Sequence, residues 1–329
     1  MRASLCLIGS LLCLLTGCTP SKTATVVPVT PVAPGSSVFG VFEGITPCSA
    51  QTRPLPQIPK DTNCEQMIWE FTLFQDSATG APTTYQLDAA YGVPKQNTTG
   101  LEKGGTPITM EGNWQIVKGT SADPNAVVYQ LNPEDPQMTV SFLKVDEDIL
   151  HVLHPDMRLM VGNASWSYTI NRTDNRPAPQ IVVPAEPPTS STPLVIPPMP
   201  EGATVLGIFE GRTPCHTVVF EFTGIPPHEG CLKVKWQLTL YHHQDTAAPS
   251  TYLFRGTGTV RTGTWTILRG TKTDPDAVVY QLRADDAQQL TSFLRVGDDH
   301  LFLLDGELNP LVGNALFSYT LSRTDKGVK

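Results

Sequence analysis

The chain says the same thing twice. Val38 to Cys48 reads VFGVFEGITPC and Val205 to Cys215 reads VLGIFEGRTPC, and each is followed 16 residues later by another cysteine, Cys64 and Cys231. Further matches run to the end of each copy. DPNAVVYQL (Asp123–Leu131) answers DPDAVVYQL (Asp274–Leu282), and VGNASWSYTINRTD (Val161–Asp174) answers VGNALFSYTLSRTD (Val312–Asp325). Gly112-Asn113-Trp114 likewise answers Gly263-Thr264-Trp265. Repetition on this scale means one fold built twice, so the two copies constrain each other. Copy one is longer by about 16 residues around Val93 to Ile108, which reads as an insertion at a hairpin tip rather than in the shared frame.

The shared fold reads as all-β. In Lys233-Val234-Lys235-Trp236-Gln237-Leu238-Thr239-Leu240, the apolar residues Val234, Trp236, Leu238 and Leu240 fall on one face and the polar ones on the other. Eight such runs are expected per copy and no helix. In copy two they are Val205–Glu210, Leu232–His242, Ser250–Gly258, Arg261–Arg269, Ala277–Leu282, Gln289–Val296, His300–Leu304 and Ala315–Arg323. Asp274-Pro275-Asp276 and Gly297-Asp298-Asp299 supply tight-turn chemistry between them. Consecutive antiparallel strands without a helical crossover point to two tandem eight-stranded antiparallel meander barrels, lipocalin-like, with a two-sheet sandwich as the alternative.

The organisation follows from composition. Residues 1–17 form a leader, with Arg2 before the short apolar stretch Leu5–Leu15, and Leu15-Thr16-Gly17-Cys18 matches a bacterial lipobox. Cys18 is then the lipidated first residue, carrying acyl chains, palmitate among them, that anchor the protein to the membrane without spanning it. Residues 18–37 make a Pro-rich tether, 38–174 the first domain, 175–204 a Pro-rich linker, 205–325 the second domain and 326–329 a tail. Pro177 to Pro200 holds nine prolines, which deny helix and most sheet pairing, and so reads as a semi-rigid spacer on which two units move independently. Thr19, not an aspartate, follows the lipidated cysteine, which favours the outer membrane of the cell envelope. The formal charge of −8 is dispersed and no basic stripe exists, so nucleic acid is not an expected partner.

Four cysteines remain after the leader and Cys18 are set aside. The pairs Cys48 with Cys64 and Cys215 with Cys231 read as one disulfide per domain, each contributing roughly 3 kcal/mol in the chain-entropy model. The alternative is a metal site at the start of domain two, where Cys215, His216, His228 and Cys231 offer thiolate and imidazole suited to copper(I) or zinc. Copy one has Ser49 and Asp61 where copy two has His216 and His228, so this set is not a property of the shared domain. His242 and His243, adjacent on a strand, point to opposite faces. No nucleophile elbow, zinc-protease pair, phosphate loop or dinucleotide fingerprint is present, and no catalytic residue is assigned. Glu43 and Glu210, repeated within Phe-Glu-Gly, are the carboxylates an unidentified enzyme would use.

These motifs carry a resemblance. A first strand ending Phe-Glu-Gly, then Thr-Pro-Cys, a mid-domain Gly-x-Trp and a closing Ser-Tyr-Thr-Leu behind a lipobox resemble the N-terminal domain of NlpE-type copper-homeostasis lipoproteins. The resemblance implies a small lipocalin-like barrel and a role in envelope stress or copper handling. The family's Pro-Cys-x-x-Cys is not retained: Ser49-Ala50-Gln51 follows Cys48, and His216-Thr217-Val218 follows Cys215. The reading favoured on these grounds is a non-catalytic envelope lipoprotein that binds an envelope protein or small ligand, or senses envelope stress, with no required cofactor. Copper handling is the first alternative and an unidentified enzyme the second.

Overall fold

The computed structural model describes residues 35–49, 51–175, 195–225, 227, 230–256, 258–286 and 290–326. The leader, Cys18, most of the tether, residues 176–194 of the linker and His228 lie outside the described residues. Two closed eight-stranded antiparallel barrels follow one another along the chain. The first comprises β1 (Ser36–Pro47), β2 (Gln66–Asp76), β3 (Pro82–Gly92), β4 (Thr106–Lys118), β5 (Val127–Leu131), β6 (Val140–Asp146), β7 (Ile149–Val152) and β8 (Thr169–Arg172). The second comprises β9 (Ala203–Thr213), β10 (Val234–His243), β11 (Pro249–Gly256), β12 (Thr259–Arg269), β13 (Val278–Ala284), β14 (Leu290–Val296), β15 (His300–Leu303) and β16 (Thr320–Arg323). Each strand pairs with its sequence neighbour, and the last closes on the first, as expected for a meander. The extra residues of copy one lengthen the β3–β4 hairpin, whose tip spans 93–105.

The repeated motifs turn out to be closure and packing devices. At each seam the last strand meets the first over two residues, Phe42 with Arg172 and Glu43 with Asn171, and Phe209 with Arg323 and Glu210 with Ser322. The glycine of Phe-Glu-Gly lets this happen. A Cβ on Gly44 would lie 3.2 Å from the Thr169 carbonyl, and one on Gly211 would lie 2.8 Å from that of Thr320. The threonine of Thr-Pro-Cys accepts a buried indole N–H, Trp69 to Thr46 and Trp236 to Thr213, both at 2.8 Å. The tryptophan of Gly-x-Trp donates to a backbone carbonyl two strands away, Trp114 to Phe74 at 2.6 Å and Trp265 to Tyr241 at 2.7 Å.

Both interiors are filled by the chain itself. In the first barrel Phe42, Phe71 and Phe142 stack in series at centroid distances of 5.4 and 5.2 Å, with Trp69 edge-on to Phe142. Leu55 and Ile58, from the disulfide loop between β1 and β2, join this core. The second barrel departs from the expectation of no helix. Its corresponding loop contains α1 (Thr217–Thr223), capped at its start by His216 and ended by Gly224 in the left-handed region. The apolar run Val218-Val219-Phe220, with Phe222, reads as strand by composition, but the helix inserts Phe222 against Trp236 at 5.2 Å and near-parallel planes. Burial of that face outweighs the poor helix propensity of the segment. The final run expected at Ala315–Arg323 also shortens: only Thr320–Arg323 is strand, while Phe317 and Ser318 meet the first barrel and Tyr319 joins the second core.

Candidate functional site

The two barrels are in direct contact along one face. The contact is a two-fold one within a single chain, because residues at the same place in each repeat touch each other. Trp166 and Phe317 stack at 5.1 Å with planes 5° apart, and the hydroxyls of Ser167 and Ser318 lie 2.7 Å apart. Arg212 of the second barrel lies 5.8 Å from the centre of the Trp166 ring. The stretch Val-Gly-Asn-x-x-x-Ser-Tyr-Thr, repeated in sequence, builds this face. Asn163 Oδ1 accepts from the N–H groups of Ser165 and Trp166, and Asn314 Oδ1 from those of Leu316 and Phe317, making two identical turns.

The glycines of these turns are crowded both by their own turn and by the other barrel: a Cβ would lie 2.4 Å from the Trp166 carbonyl at Gly162 and 2.2 Å from the Phe317 carbonyl at Gly313. A Cβ on Gly162 would sit 2.7 Å from Ser322 Oγ, and one on Gly313 would sit 2.9 Å from Asn171 Nδ2. Asn171 uses that closeness to behave as a piece of backbone. Its Nδ2 donates to the Asn314 carbonyl at 3.1 Å while its Oδ1 accepts from Gly313 N–H at 2.9 Å.

Beside this pair of turns lie two imidazoles. His151 (β7) and His300 (β15) are fully enclosed, with ring centroids 4.5 Å apart, and His151 also meets Phe302 edge-on at 6.1 Å. Each Nε2 is within hydrogen-bond distance of one carbonyl, that of Met160, at 2.8 Å for His151 and 3.0 Å for His300. A carbonyl only accepts, so both Nε2 atoms carry the proton. His151 Nδ1 then accepts from the Thr169 hydroxyl at 3.0 Å. Burial holds both rings neutral. Desolvation, with the neighbouring His300 adding to it, pushes His151 well below the usual histidine range, and desolvation brings His300 down to about 4.

The residues singled out from sequence sit elsewhere. Cys48 is bonded to Cys64 and Cys215 to Cys231. In the candidate metal set, Cys215 and Cys231 are thus joined to each other, while His216 Nδ1 accepts from Val218 N–H at 3.3 Å as the cap of α1. Among the described residues no three His, Cys, Asp or Glu side chains are placed to hold a metal ion. His242 Nε2 lies 2.8 Å from Thr204 Oγ1. Glu210 is held by Gln237 at 2.9 Å and Thr324 at 2.7 Å. Glu43 instead stands on the outer wall opposite Glu70, which in turn faces Asp88. Burial together with the Glu43 and Asp88 charges raises the Glu70 carboxyl above its ordinary range.

A small cavity of about 100 Å3 lies on the flank of the second barrel, where Pro197, Pro198 and Pro200 of the linker pass over Tyr241, Leu253 and Asp285. None of the sequence-assigned candidates lines it. The chain matches no protein-family model, no characterised protein and no solved structure. Among the described residues, no helix is long and apolar enough to cross a membrane.

Proposed function

We propose that this chain is a non-catalytic lipoprotein of the bacterial envelope, anchored through acyl chains on Cys18, that binds or senses through the outer surface of a double barrel. The observation that carries the reading is the filling of both interiors. A ligand-carrying barrel of eight strands keeps room for its cargo, whereas here stacked phenylalanines, Trp69, Trp236 and the inward-turned Leu55 and Phe222 occupy that space. Recognition then falls to the outer face. The lipobox supports the membrane anchor, and the absence of aspartate after Cys18 supports the outer membrane. The resemblance to NlpE-type lipoproteins supports envelope-stress sensing, and because its motifs are the ones that close the barrel and seat its tryptophans, it speaks for the scaffold rather than for copper. Metabolic labelling with an alkyne fatty acid tests the anchor. Label on the wild-type chain and in the membrane fraction, both lost in Cys18→Ser, is the expected result; an unlabelled wild-type chain in the soluble fraction contradicts it.

A further inference from the structure

We propose that the barrel-to-barrel face is an acid-opened latch, in which protonation of His151 and His300 parts the two barrels while each barrel stays folded. The inference stands on the geometry of this face and does not depend on the envelope reading.

Both rings point away from the cores. On β7, Leu150 and Val152 belong to the first barrel's core and His151 alternates with them; on β15, Leu301 and Leu303 belong to the second core and His300 alternates with those. Charging these rings therefore loads the shared face and leaves each interior apolar. The two imidazoles already share the Met160 carbonyl through Nε2, so a further proton goes to Nδ1, which on His300 has the Val296 carbonyl beside it but on both rings is buried away from solvent. On His151 that proton opposes the hydrogen bond from Thr169, and two imidazolium rings at 4.5 Å repel.

The groups facing this pair decide the sign. Against His151 stand Thr169 on β8, Leu143 on β6, His154 beyond the strand end, and His300 and Phe302 from the other barrel. His300 faces Ser322 on β16 and Val296 on β14, with Asp299 adjacent and paired to Lys326 at 2.8 Å. Asp299 and the Met160 and Val296 carbonyls favour a charged His300, yet burial outweighs them. In the parted state both rings meet water and return toward the usual value of about 6.5. The closed pair is therefore fully favoured above about 6.5 and weakens as pH falls toward about 4, by up to roughly tenfold per pH unit for each histidine.

The repeat supplies its own control. His151 sits where copy two has Phe302, and His300 sits where copy one has Ile149, so His151→Phe with His300→Ile puts at each place the residue its twin already tolerates. The experiment is small-angle X-ray scattering of the full mature chain, unacylated through Cys18→Ser, from pH 7.5 to pH 4, with far-UV circular dichroism on the same samples. The expected result is a radius of gyration that is constant above pH 6.5 and grows below it with an unchanged strand spectrum, and a double variant that stays compact throughout. A radius that does not change down to pH 4, growth accompanied by loss of the strand spectrum, or identical opening in the variant overturns the proposal. Should the variant not fold, the wild-type histidine Cε1–H resonances decide: midpoints for His151 and His300 depressed below 6.5 and coincident with expansion support the latch, and titration without expansion sinks it.

Discussion

At matched positions of the shared face the two barrels use their side chains unequally: Asn171 and Thr169 of the first are hydrogen-bonded, and their twins in the second are not. Asn171 makes two hydrogen bonds to the second barrel, while Ser322, its twin, leaves its hydroxyl buried without a partner. Thr169 bonds His151, while Thr320, opposite Phe302 rather than a histidine, leaves its hydroxyl unpartnered. The same asymmetry recurs inside the barrels. The Tyr85 hydroxyl takes a hydrogen bond from Asn132 at 2.7 Å, whereas Tyr252, with Arg283 at the matching place, has its hydroxyl buried and unpartnered. Duplicated frames tolerate such losses because backbone pairing and apolar packing, which both copies keep, carry most of the stability.

The largest contrast to break is the plug. Phe222→Ala removes a ring packed against Trp236 and three other aromatics, and should cost about 3–5 kcal/mol in denaturant unfolding. Leu55→Ala in the first barrel should cost less, about 2–4 kcal/mol, because a loop can settle inward more readily than a capped helix. Equal costs would mean that the two plugs are equivalent.

At the shared face, Asn171→Ala should cost about 1–3 kcal/mol, since it orphans Gly313 N–H and the Asn314 carbonyl, whereas Ser322→Ala should be neutral within about 0.5 kcal/mol. Unfolding of single and double variants checks both. Within the barrels, Tyr85→Phe should lose about 1 kcal/mol with its Asn132 bond, and Tyr252→Phe should lose nothing or gain, because it removes an unsatisfied buried hydroxyl. The smallest effect is electrostatic. Glu70 has a folded-state value above its ordinary one, so it weakens the fold as pH rises from about 4.5 through that raised value, and Glu70→Gln should stabilise slightly at pH 7 and not at pH 3. A pH-independent effect would remove this charge row from the account. The matched row of the second barrel, Glu210, Gln237 and Arg255, should show no such gain in Glu210→Gln.

Much of the fold was legible because the repeat and the period-two alternation constrain each other. Val234, Trp236, Leu238 and Leu240 are all buried as their spacing required, and the cysteine pairs close as their matched separations suggested. Two things were not legible. Helix α1 is built from Val218, Val219, Phe220 and Phe222, whose local preference is for strand, and only the barrel mouth it fills makes it a helix. The shared face was hidden because His151, Ser167 and Asn171 look like the polar, outward half of alternating strands, and alternation cannot say whether outward means water or a second barrel. One signal was present: the turn Val-Gly-Asn recurs with its glycine in both copies, and the need for room against neighbouring atoms is one reason for such a residue.

The two barrels pack on each other through a two-fold face, and the prediction is that they hold this relative orientation in solution rather than behave as two beads on a spacer. Residual dipolar couplings from backbone amides of the weakly aligned chain at pH 7.5 test it directly. A single alignment tensor fitting both barrels, in the relative orientation set by the Trp166–Phe317 and Ser167–Ser318 contacts, is the predicted result. Two tensors of different magnitude, one per barrel, would contradict it.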